Sequence, residues 1–216
     1  ISDDKLLYRR FKAKQDARRK EKWMSALFLR IPIFNPDPFL NKTAKWAIPL
    51  FSRWFFIVWL VSVLLCGVLV VTKRDELFAP LTQICNTPNI ICMWVILIAL
   101  KVFHEFGHAY ACKVRGGHVP EMGLYLIACT PCAYVDVTSS WSFTRKQDRL
   151  AVGLAGVYVE SILAMAGLLV WLVANPSMIG AVAYKVFFLA SVVTVFMNIN
   201  PLMRFDGYYV LSDLLE

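Results

Sequence analysis

Two histidines and a glutamate, His104, Glu105 and His108, stand in the order H-E-x-x-H inside a long apolar run. Positions four apart on an α-helix lie roughly 40° apart on one face, so both imidazoles reach a single tetrahedral metal ion, and Zn2+ suits that donor pair. Glu105 lies beside that face and can act as a general base toward a water that zinc has acidified to a pKa near ~7. A catalytic zinc takes three protein ligands and keeps one position open. The third candidate is Asp206, near the end of the chain in the run Asn198-Ile199-Asn200-Pro201-Leu202-Met203-Arg204-Phe205-Asp206-Gly207. The structural alternative is a histidine pair satisfied by neighbouring helices, with Glu105 reaching for the surface. Ionisable groups inside an apolar span are costly and usually mark a function, which favours the metal.

The elements that must position these groups are apolar. Of 216 residues, 58% are hydrophobic and the mean hydropathy is +0.57, more than the core of a soluble domain of this size requires. An all-α membrane protein follows, with about four transmembrane helices and a small membrane-associated β hairpin between the second and third. The net charge of +8 does not indicate nucleic acid, because residues 1–45 hold twelve Lys or Arg against five Asp or Glu. Such an excess before the first span is the positive-inside pattern, so residues 1–45 read as a basic cytoplasmic arm at the lipid bilayer. No secretory signal opens the sequence, since its first residues are charged throughout.

Residues 30–41, with Pro32, Pro36 and Pro38, read as an irregular segment approaching the membrane. Residues 54–72 are free of charge over about the ~20 positions needed to cross hydrocarbon. This first span and the external loop that follows make up a unit over 46–90, and 91–216 form a core of three further spans. The second span starts near Pro88 and runs to about Cys112, the third covers 150–174, and the fourth runs from Ile179 to about Asn198. Between the second and third, residues 122–137 are apolar, β-rich and interrupted by Pro131, as in a hairpin or re-entrant segment. An unbroken fourth helix would carry Asp206 about 40 Å from its start, against roughly 20 to 25 Å for His104. A break or kink at Pro201 near the metal supplies part of the difference, and tilt or a later start to the span must supply the rest.

The two motifs together resemble the site-2 protease family of intramembrane zinc metalloproteases, with H-E-x-x-H on one core helix and N-x-x-P-x-x-x-x-D-G on another. Residues 104–216 are similar to its branch of peptide zinc metalloproteases, through Tyr134-Val135-Asp136, Trp141 and the closing Asn-Pro-Leu-x-Arg-Phe-Asp-Gly-Tyr-Tyr. The segment Asn35-Pro36-Asp37-Pro38-Phe39 looks like that branch too. The resemblance implies a bacterial inner-membrane hydrolase with Asp206 as third ligand, Asn198 supporting the substrate or an oxyanion, and Pro201 and Gly207 shaping the site. It also implies that the hairpin edge aligns an extended peptide or membrane-protein substrate, and that export transporter subunits are partners.

Other ionisable residues are weighed separately. Glu160 and Lys101 should lie at similar depth on facing spans; an ion pair locking the helices is the simpler reading, proton supply the other, and Lys185 is a rival partner. Asp136 beside Thr138 reads as a turn former, and His118 as a solvent-exposed loop residue. Cys129 and Cys132 form a lone C-x-x-C better explained by hairpin packing than by a second metal. Cys85 and Cys92 fall where a disulfide is allowed. Two rivals to a protease remain: a non-proteolytic peptide-binding component of an export or efflux system, and a metal transporter. Glu105 argues against the first, since binding needs ligands and no base, and the lack of a second acidic path argues against the other.

Overall fold

The computed structural model describes residues 28–80, 87–127, 130–174, 176–202 and 205–215. The basic arm up to residue 27, Cys85 with the proposed disulfide, and Cys129 of the C-x-x-C lie outside the described residues. The chain opens with strand β1 (Phe28–Phe34) and helix α1 (Asp37–Ala47). Helix α2 (Arg53–Thr72), the short α3 (Arg74–Phe78) and the long α4 (Thr87–Val114) follow. Strands β2 (Met122–Ile127) and β3 (Thr130–Val135) lead to α5 (Lys146–Gly153), α6 (Ala155–Ala174), α7 (Met178–Val193) and α8 (Asp206–Leu215).

Among the described residues, three helices are long and apolar enough to cross a membrane, over Arg53–Thr72, Asn89–Val114 and Ala155–Ala174, whereas α7 is a shorter apolar helix. Helix α2 has no buried residue, and Trp54, Leu64 and Val71 on it are widely exposed. An apolar surface on all sides suits hydrocarbon, not water. A polar contact, from Trp59 Nε1 to Ser161 Oγ at 2.8 Å, ties α2 to α6. Helices α6 and α7 pack through small residues: a Cβ on Gly167 would sit 2.8 Å from the Ala183 carbonyl oxygen, so the two backbones approach closely.

The sheet differs from the expected hairpin. β2 and β3 pair antiparallel, but β1 adds to the other side of β2, giving the order β1-β2-β3. Residues 30–41, expected to be irregular, thus form a strand and the start of a helix. The prolines fit this arrangement: Pro32 and Pro131 lie in the two outer strands, where proline is tolerated, and β2 between them has none. Two of the expected spans are also interrupted. The third breaks at Leu154, between α5 and α6, and the fourth leaves α-helical geometry at Thr194 for a π turn over Thr194–Asn198.

Helix α1 is held against the end of α4 by Asp37. Its Oδ1 accepts from Lys113 Nζ at 2.7 Å and from the Val119 backbone N–H at 3.0 Å, and it lies 3.1 Å from His118 Nδ1. The expected loop residue His118 is indeed well exposed, but it borders this cluster. Asn35 Oδ1 accepts from the Asp37 N–H at 2.9 Å, and Pro36 caps the helix with Pro38 in its first turn. Burial raises the Asp37 pKa, but the Lys113 and Val119 hydrogen bonds outweigh it and bring the group down to about 2. A folded pKa below the ordinary 3.8 stabilises the fold above that pH, with the gain lost as pH falls toward 2. Asp37→Asn is expected to lower the melting temperature in detergent at pH 7, by an amount equivalent to about 2 kcal/mol. The gap between variant and unmodified protein should narrow below about pH 4.

Candidate metal centre

His104 and His108 lie on the second half of α4, one turn apart on the face turned toward α5 and α6. The ring of His104 lies directly against α6 at Gly156, where any Cβ would collide with it. Gly107, between the histidines, brings α4 equally close to α6: a Cβ there would stand 2.8 Å from the Ala155 carbonyl oxygen. Small residues at these two contacts allow the histidine face to be buried between helices, and both histidines are under 10% exposed.

The break at Leu154 has a use. Carbonyls in the last turn of a helix lack an intrahelical partner, and in α5 the Val152 carbonyl accepts from His108 Nδ1 at 2.7 Å. That bond turns His108 Nε2 inward. His104 Nδ1 lies 3.2 Å from Glu160 Oε1, an ion-pair distance without an aligned hydrogen bond.

Asp206 reaches the same point from the first turn of α8. Because the fourth apolar helix gives way to a π turn, Asp206 starts a separate helix and no longer extends a long one, which removes the depth mismatch expected from the sequence. The departure begins at Thr194, seven residues before Pro201; Pro201 itself lies in a turn in which Asn200 Oδ1 accepts from the Leu202 N–H at 3.0 Å. Gly207 packs against the end of the π turn, where a Cβ would lie 2.8 Å from the Asn198 carbonyl oxygen. At its other end α8 is fastened to α5: Arg149 Nε donates to buried Asp213 at 2.9 Å with Nη2 2.8 Å from the same oxygen, and Lys146 Nζ donates to the Leu214 carbonyl at 3.0 Å.

The three candidate ligand atoms converge. Asp206 Oδ2 is 2.9 Å from His104 Nε2 and 3.2 Å from His108 Nε2, and the two Nε2 atoms are 3.1 Å apart. Asp206 Oδ2 and His104 Nδ1 are both buried without an aligned hydrogen-bond partner. With the proton of His108 on Nδ1 and a carboxylate oxygen facing His104 Nδ1, three electron-pair donors share one small volume, an arrangement that calls for a cation. Zinc fits, since tetrahedral bonds of about 2.0 to 2.1 Å set ligand atoms roughly 3.3 Å apart, within a few tenths of an ångström of these separations.

Glu105, His108 and Asp206 line one cavity of about 500 Å³. Its other walls include Tyr134, Val135 and Asp136 from the end of β3, Trp141, and Tyr209 from α8. Asp136 forms the expected turn, its Oδ1 accepting from the Thr138 N–H at 3.1 Å and from Thr138 Oγ1 at 2.7 Å. It also pairs with Arg30 Nη2 at 3.3 Å. Despite partial burial, the Thr138 and Arg30 contacts hold the Asp136 carboxyl below its ordinary pKa. Arg30 in turn lies over the Tyr134 ring, 4.7 Å from its centre.

Asn198 is elsewhere. It is buried and lies outside the residues lining this cavity; its Nδ2 donates to Glu160 Oε2 at 2.6 Å, and its Oδ1 accepts from Lys101 Nζ at 3.3 Å. The expected Lys101–Glu160 pair is present at 3.0 Å. Among the described residues, His104, His108 and Asp206 are the group of three or more His, Cys, Asp or Glu side chains placed to share a metal. Gly156, Val152 and Asp37 escape a reading of the motifs because their roles rest on backbone proximity or on partners dozens of residues away.

No family model matches the chain, and no solved structure matches it. The chain is similar to a Bacillus subtilis (strain 168) protein named "Putative peptide zinc metalloprotease protein YydH", 26% identical over 129 residues. The match covers 57% of this chain and 49% of that protein, so the chain spans about half the length of the curated relative it matches.

Proposed function

We propose that the chain is a zinc-dependent intramembrane endopeptidase that hydrolyses peptide bonds of a membrane-associated or exported peptide. The observation that carries this reading is the convergence of the His104, His108 and Asp206 ligand atoms within 4.8 Å, beside a cavity that Glu105 also lines. A metal site built only for storage or structure has no need of a base in that place. The name of the Bacillus subtilis relative supports the same chemistry.

In this reading α2, α4, α6 and α7 are four spans, the basic arm lies in the cytoplasm of a bacterial cell, and the site opens toward that side. His104, His108 and Asp206 hold the ion, which supplies Lewis acidity toward the scissile carbonyl and lowers the pKa of a water. Glu105 takes the proton from the attacking water and returns it to the leaving amine. β3 has no strand partner on its outer side among the described residues, and its end borders the cavity. An extended substrate can add to that edge, satisfying its backbone polar groups while its scissile bond is presented to Glu105. Burial of the histidine face between helices limits water to the cavity side.

The test is cleavage of a panel of membrane-tethered peptides by the protein reconstituted in liposomes, before and after metal removal with a chelator. Hydrolysis is expected to stop on chelation and to return with about one equivalent of zinc. Cleavage that survives complete metal removal would exclude the proposal.

A further inference from the structure

Behind the metal centre lies a polar cluster that an ion pair alone does not explain. Glu160 on α6 is fully buried. Its Oε2 accepts from Thr194 Oγ1 at 2.6 Å and from Asn198 Nδ2 at 2.6 Å, while Oε1 accepts from Lys101 Nζ at 3.0 Å and lies 3.2 Å from His104 Nδ1. Four groups from two elements therefore surround one carboxylate of a third: Lys101 and His104 from α4, and Thr194 and Asn198 from the π turn. Burying a carboxylate costs several kcal/mol before any pairing. A pair that only locked two helices would need Lys101 and nothing more.

The placement is specific to His104. Lys101 and His104 are one turn apart on α4, so one carboxylate reaches both. Gly156 and Glu160 are likewise one turn apart on α6, so that helix supplies both the flat surface under the His104 ring and the acceptor at its outer nitrogen. The π turn, which widens the helix where Thr194 and Asn198 sit, brings their side chains onto the opposite oxygen.

Building on the zinc reading above, we propose that Glu160 is a positioning residue for His104. It holds the ring proton on Nδ1 and directs Nε2 at the metal, as His108 is directed by the Val152 carbonyl. Asn198 acts through Glu160: both its amide atoms are engaged, Nδ2 on the carboxylate and Oδ1 on Lys101, so it fixes the carboxylate. Thr194 shares that task.

The test measures zinc affinity by chelator competition, and the absorption spectrum of the cobalt-substituted full chain, for the unmodified protein, Glu160→Gln and Glu160→Asp. Glu160→Gln is expected to bind zinc about 10- to 100-fold more weakly, the loss typical of an outer partner of a ligating histidine, with an altered cobalt spectrum. Glu160→Asp keeps a carboxylate on the side of Lys101 but is one methylene shorter and withdraws the oxygen from Nδ1, so it should fold with a lowered melting temperature and lose zinc affinity. A helix-locking role alone would leave zinc affinity and the cobalt spectrum of the aspartate variant unchanged, and that result would overturn the proposal. Should the glutamine variant fail to fold, the aspartate variant decides. No metal binding by the unmodified protein would instead overturn the metalloprotease reading, and this inference with it.

Discussion

Gly156→Val is expected to abolish zinc binding and hydrolysis together. A Cβ on residue 156 would stand 2.6 Å from His104 Nδ1 and closer still to other atoms of the ring. The ring cannot step away, because its far edge already faces His108 and Asp206 at about hydrogen-bond distance. Nor can α6 withdraw cheaply, since Ala164, Leu168 and Trp171 on the same helix are buried in its packing. The rest of the helix should stay folded, because valine is tolerated in an apolar helix. Zinc per chain, measured by elemental analysis on protein of unchanged helical content, should fall from about one to near zero. A variant that kept its zinc would contradict the contact between α6 and His104.

The sequence makes the chemistry of the site legible and leaves its supports obscure. The four-residue spacing of His104 and His108 encodes their shared face, because helical geometry is local. Asp206 is legible as a candidate only by its place in a second motif; its distance from the histidines depends on where a helix stops. That stop is a π turn at Thr194, and no proline or glycine marks it, whereas Pro201 draws attention to a position seven residues later. The Lys101–Glu160 pair follows from depth along two spans, an argument that needs only rise per residue. The approach of Glu160 to His104 requires the rotation of one helix about another, which side-chain chemistry does not specify.

The same reason accounts for the sheet. β2 and β3 are close in sequence and their β-rich character is visible, so their pairing is legible while the third strand beside them is not. β1 pairs with β2 across more than ninety residues, and with two prolines soon after it the segment reads as irregular. Asp37 is equally hidden, since its partner Lys113 is 76 residues away. The second contact joins the start of the described chain to the end of α4, the helix that carries the two histidines.

Glu105→Gln is expected to leave the metal in place and remove the activity. Glu105 is not among the three converging ligands, but it faces the cavity shared by His108 and Asp206. Glutamine keeps the volume and the polar character of the side chain and loses the ability to accept a proton, so the rate should fall by about 10²- to 10⁴-fold, the usual contribution of a positioned general base. The decisive measurement is therefore zinc content and cleavage of the same membrane-tethered peptide, made together on the unmodified protein and on Glu105→Gln. Equal zinc in both, with hydrolysis lost only in the variant, is the result expected of a metalloprotease. Hydrolysis by the variant at the unmodified rate, or bound zinc with no hydrolysis by the unmodified protein, would contradict it, and the second outcome would leave a zinc-holding peptide-binding component of an export system.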